Sequence, residues 1–166
     1  MTRLKNLTFF SASLMILATV YLSFSSYFRW LNFRFIIGPF SLHHWLSITG
    51  TIFIAVYTPA YYFLKRRSPR RMRTLLGIHC FGNLLAFMFI SVHFSHHLGR
   101  PPQFYPEPGT GVTLYVAVIL LTATGFLQRF QIARKLGRYW RFIHISVTTS
   151  FYLIILVHVL HGLGVM

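Results

Sequence analysis

Residues 74–98 read TLLGIHCFGNLLAFMFISVHFSHHL, with no Lys, Arg, Asp or Glu among them. As an α-helix this stretch is long enough to cross the ~30 Å hydrocarbon core of a bilayer. Two histidines stand inside it, His79 and His93, fourteen residues apart. A bilayer offers an imidazole no water, so a histidine at that depth marks a candidate site. At about 100° per residue, fourteen steps fall about 40° short of whole turns. Both rings therefore stay on one helix face, roughly 21 Å apart along the axis. Residues 139–163, YWRFIHISVTTSFYLIILVHVLHGL, repeat the spacing with His144 and His158.

The chain has 166 residues, 55% of them hydrophobic, and sets 16 Lys and Arg against a single acid, Glu107. Long apolar runs with charge confined to the gaps predict an all-α integral membrane protein. We expect one membrane domain over residues 1–166, with transmembrane helices at about 7–28, 42–64, 74–98, 111–130 and 139–163. The first follows Arg3 and Lys5 as a secretory signal would, but no small-residue cleavage site follows cleanly, and it reads as a retained helix. Pro59 should kink the second helix. Gly50, Gly77, Gly82 and Gly125 permit close approach of a neighbour or cofactor. Trp30, Trp45 and Trp140 fall near span ends, where an aromatic belt is expected. Cys80 is the lone cysteine and reads as a packed thiol.

The basic residues set an orientation. With five spans, one side receives Arg3 and Lys5, then Lys65, Arg66, Arg67, Arg70, Arg71 and Arg73, then Arg129, Arg134, Lys135, Arg138 and Arg141. The opposite side receives Arg29, Arg34 and Arg100. The positive-inside rule places the amino terminus in the cytoplasm and the carboxyl terminus outside, in a multi-pass protein of the plasma membrane. Because spans interrupt the basic groups, the net charge of +15 does not read as a nucleic-acid surface. The third and fifth helices then run in the same direction. His79 and His144 share the inner depth, and His93 and His158 the outer.

Neutral imidazole ligates haem iron through one ring nitrogen, while the other needs a partner that fixes the tautomer. Two histidines per iron give a six-coordinate centre suited to electron transfer. The expected cofactors are two haem b groups, one on His79 and His144 and one on His93 and His158. Helices two to five would form a haem-binding four-helix bundle. The competing reading is polar packing between helices, which leaves two equal spacings on parallel helices unexplained. Phe151 lies midway between His144 and His158, either in the gap between the haems or as simple filling. Arg73 and Arg141 precede the inner histidines and suit haem propionates, or they anchor the cytoplasmic surface.

His43, His44, His96, His97 and His161 fall near the outer span ends. They suit an electron-acceptor or partner-docking site, a further metal or third haem, or plain interfacial positions. The outer loop between Gly99 and Gly111 holds Pro101, Pro102, Pro106, Pro108 and Glu107, which predicts a stiff irregular connection. Its Pro-Glu pair resembles the quinol-oxidation motif of cytochrome bc complexes over two residues, and a solvated carboxylate is the alternative.

Together these residues resemble the two-haem membrane cytochrome b superfamily over roughly the last four helices. Within it the chain looks closest to the transmembrane domain of ferric reductases and NADPH oxidases. The stretch Leu114-Tyr115-Val116-Ala117-Val118 leading to Thr124-Gly125 looks like that family's fourth helix. Trp140 to His144, then His158 to His161-Gly162, looks like its fifth, and His97 matches a histidine near the outer haem of the oxidases. Two equal fourteen-residue separations are more typical of cytochrome bc proteins. This sequence also carries no Gly-rich nucleotide motif, no sixth span and no flavin or nicotinamide domain.

The resemblance implies transmembrane electron transfer without specifying its ends. A membrane quinol or cytoplasmic flavoprotein is the expected donor. An external cytochrome, oxidised metal or other subunit is the expected acceptor, and the chain would work in a hetero-oligomeric redox complex within lipid. Two alternatives stay open: a stand-alone quinol-dependent reductase of ferric iron or oxygen at the outer histidines, and a metal transporter using the histidines as a relay.

Overall fold

The computed structural model describes residues 2–31, 35–101, 109–132 and 134–162. Arg34, Glu107 and the prolines 102, 106 and 108 lie outside the described residues. Five helices are long and apolar enough to cross a membrane: α1 (Thr2–Tyr27), α2 (Leu42–Arg67), α3 (Met72–Leu98), α4 (Gly109–Arg129) and α5 (Gly137–Gly162). A hairpin of two short antiparallel strands, β1 (Ile36–Ile37) and β2 (Phe40–Ser41), precedes α2. The chain forms two compact units, residues 1–104 and 105–166.

In the first unit α3 packs against both α1 and α2. The α2–α3 approach is set by small residues. A Cβ on Gly50 would stand 3.0 Å from the Ala86 carbonyl oxygen, and Ala86 itself is buried. Without lipid-excluding hydrophobic drive between helices, such backbone proximity is what gains dispersion energy. Tyr57 donates from α2 to the Leu75 carbonyl at 3.0 Å. Buried Ser26 of α1 donates to the Val92 carbonyl of α3 at 3.1 Å. Arg29 ties the end of α1 to the Gly99 carbonyl at 2.8 Å.

Pro59 lies inside α2 without ending it. The helix closes on Lys65, Arg66 and Arg67, cations that complement the carbonyl end of its dipole. Arg66 sits 4.5 Å from the centre of the Tyr62 ring. A 3₁₀ turn at Pro69–Arg71 then leads directly into α3. The unit is therefore strongly basic at the end where α2 closes and α3 begins.

At its opposite end the hairpin turns through Gly38, whose φ of 61° is a left-handed conformation that glycine adopts without a Cβ clash. Trp45 donates its indole N–H to the Ile37 carbonyl at 2.8 Å, locking the hairpin to the first turn of α2.

The second unit is an antiparallel pair, α4 and α5, joined through a 3₁₀ turn at Arg134–Leu136. Contacts between residues 110 and 158, and between 124 and 144, fix its register. Leu114, Ala117, Val118 and Phe151 are buried, while Phe142, Leu153 and Leu156 are exposed. α1 likewise exposes Leu7, Phe10, Leu17 and Tyr21. In water such surfaces would be a liability. Against lipid tails they are the ordinary outer face of a spanning helix.

Candidate metal and haem ligands

Five histidines gather where α2 begins and α3 ends. The ring centres of His43 and His44 lie 4.2 Å apart, those of His43 and His96 4.1 Å, and those of His93 and His97 4.5 Å. His44 stands 5.2 Å from His93 and 5.6 Å from His97. One nitrogen from each of His43, His44, His93 and His97 falls within a common 4.8 Å. A tetrahedral ion with metal–nitrogen bonds of about 2.0–2.1 Å needs ligand nitrogens about 3.4 Å apart. Small side-chain adjustments close that gap, so these four histidines could hold a metal ion or a haem.

The surroundings explain how imidazoles come to lie there. Ser41 is the N-cap residue of α2, yet its hydroxyl makes no cap hydrogen bond. It meets His43 Nδ1 at 2.9 Å and His44 Nδ1 at 2.8 Å instead. A hydroxyl has two lone pairs, so it can accept an Nδ1–H from both rings, which leaves Nε2 of each with a lone pair. The Nδ1 atoms of His93 and His97 are buried with no hydrogen-bond partner among the described residues, a costly state for ring nitrogens. An open cleft of about 530 Å³, lined by Arg29, Ser41, His43, His96 and Arg100 among others, leads to the cluster.

Of the outer histidines expected from sequence, the structure brings His43, His44, His96 and His97 together and adds His93, first assigned to the outer haem. His161 belongs to the other unit, exposed near the end of α5.

In that second unit two of the three α5 histidines, His144 and His158, are held by threonines of α4. Thr124 Oγ1 lies 2.9 Å from His144 Nδ1, and Thr110 Oγ1 lies 2.9 Å from His158 Nδ1. Thr124 gives its own proton to the Leu120 carbonyl at 2.6 Å. Its oxygen must therefore accept from His144, which fixes the Nδ1–H tautomer and leaves Nε2 with a lone pair for a metal. The residue after each threonine is glycine, and a Cβ on Gly125 or Gly111 would stand 3.4 or 3.7 Å from Cε1 of the matching imidazole. Thr110-Gly111 and Thr124-Gly125 are themselves fourteen residues apart. That repeat on α4 was available from sequence and is the signal that spacing on the histidine helices alone misses.

On α3, His79 stacks on Tyr61 with ring centres 4.4 Å apart and has the Asn83 amide nitrogen 3.1 Å from its Nδ1. Exchanging amide oxygen for nitrogen would make the same contact serve an Nδ1–H. Arg73 and Arg141 are exposed, and Phe151 is 2% exposed. Within the second unit, His144 with its Nδ1–H tautomer fixed and His158 with a hydroxyl placed for the same role have the donor chemistry that a metal takes. Comparison with protein-family models, curated proteins and solved structures finds no match for this chain.

Proposed function

We propose that the chain is a two-haem b-type cytochrome that carries electrons across a membrane, as part of a larger redox system. The observation that carries this is the duplicated threonine-held histidine on α5, at the same fourteen-residue interval that separates His79 from His93 on α3. His79 and His144 would take one iron, and His93 and His158 the other. Haem supplies the one-electron chemistry. The residues supply two axial nitrogens per iron, threonine hydroxyls that orient the α5 ligands, and apolar surroundings that exclude water. Arg73 and Arg141 would neutralise propionates at the basic end, and Phe151, midway along α5, would fill the space between the haems.

A quinol or flavoprotein on the basic side is the proposed donor, and an external cytochrome or metal the proposed acceptor. A transporter relay would need histidines distributed along a path. Five of them instead crowd at one end of the first unit, which counts against a relay. A pyridine haemochrome assay on the purified chain, with a reduced-minus-oxidised spectrum, tests the proposal. Two haem b per chain are expected, and absence of haem from protein made in haem-replete cells overturns it.

A further inference from the structure

The histidine cluster holds more ligands than an outer haem can use. One axial nitrogen from α3 is enough, and His93 supplies it in the scheme above. His43, His44 and His97 remain, and their ligand nitrogens still fall within the same 4.8 Å. We propose that these three form a separate site for a borderline transition-metal dication such as Zn²⁺ or Cu²⁺, of which Cu²⁺ binds imidazole most strongly. His93 would complete a fourth position only when it carries no haem.

Four observations support the site. The donors are imidazole alone, which suits Zn²⁺, Cu²⁺ and Ni²⁺ and disfavours Ca²⁺ and Mg²⁺. The ligands come from two elements held rigidly against each other: the hairpin and Trp45 fix the start of α2, and the Gly50–Ala86 approach fixes α2 on α3. Ser41 bonds the Nδ1 atoms of His43 and His44, the outer partner that metal-bound histidines usually have. At His97 the buried Nδ1 has no hydrogen-bond partner among the described residues, and a metal bond would satisfy that nitrogen.

Three histidines with an open fourth position is the pattern of a site that exchanges a water or small anion. The cleft reaches the cluster between Arg29 and Arg100. Their positive charge weakens binding of a bare dication and favours an anionic fourth ligand. The site is thus a metal site with anion access, distinct from one for hard cations.

The full chain, purified with its haem content recorded and then stripped of loose metal, is titrated with Zn²⁺ alone and in parallel with Cu²⁺ alone. One Zn²⁺ per chain should survive desalting, and Cu²⁺ should give an electron paramagnetic resonance signal split by at least three nitrogens. His97→Gln should weaken Zn²⁺ binding at least tenfold with haem content unchanged, while His161→Gln should leave it unchanged. His93→Ala should retain the metal with three ligands. Less than one tight Zn²⁺ per chain, or an oxygen-dominated Cu²⁺ signal, overturns the site. Loss of the metal in His93→Ala overturns the three-ligand assignment. A chain that binds Zn²⁺ and holds no haem would sink the cytochrome proposal and leave this one standing.

Discussion

Thr124 is 3% exposed, and its hydroxyl is committed twice, as donor to Leu120 and as acceptor from His144. Valine has nearly the same shape and offers neither function. Thr124→Val removes the hydroxyl that accepts from this buried imidazole, at a cost of about 1–3 kcal/mol, and loosens its hold on the tautomer. Lost outer partners typically lower metal affinity about 10–100-fold. Loss of one haem to an excess of haem-scavenging protein should accelerate by that factor, with Thr124→Ser restoring the original rate. Equal rates in all three proteins would show that the hydroxyl does not orient the ligand. At this scale the sequence was legible where periodicity speaks: the histidine intervals and the matching Thr-Gly doublets are visible by counting. It was opaque at His93 and Ser41. Whether His93 stands beside His43 and His44 depends on which helix ends meet. That a cap serine would turn its hydroxyl onto two imidazoles depends on side-chain choices no pattern encodes.

Among elements, α2 and α3 decide the histidine cluster, and their contact turns on Gly50. A Cβ there already presses on the Ala86 carbonyl oxygen at 3.0 Å and Ala86 Cα at 3.3 Å. Backbone cannot yield as the tip of a flexible side chain can. Gly50→Leu should destabilise by about 1–3 kcal/mol, the usual range for overpacking. Its thermal midpoint in detergent should fall, and the separated helix ends should bind Zn²⁺ more weakly than the parent. An unchanged midpoint would mean that the helices meet elsewhere. Five helices were legible because each span is an uninterrupted apolar run between basic gaps. The β1–β2 hairpin was not, since residues 35–41 are as apolar as a short span edge, and only Gly38-Pro39 hints at a turn.

Over the whole molecule the distribution of charge is the strongest remaining signal, and it predicts orientation. In the first unit the basic groups from Lys65 to Arg73 surround the junction of α2 and α3, while the cluster of His43, His44, His93 and His97 occupies the opposite end. Cytoplasmic loops retain Lys and Arg during insertion, so the basic end should face the cytoplasm and the histidine end the exterior. Cys80 is the only cysteine, so a Cys80→Ser background allows single reporters. Ser68→Cys sits at the basic junction, and Pro101→Cys is exposed just beyond α3. In intact cells a membrane-impermeant maleimide should label position 101 and spare position 68, and permeabilised cells should label both. The opposite pattern would reverse the orientation. It would also put the proposed metal site in the cytoplasm, where an external acceptor could not reach it.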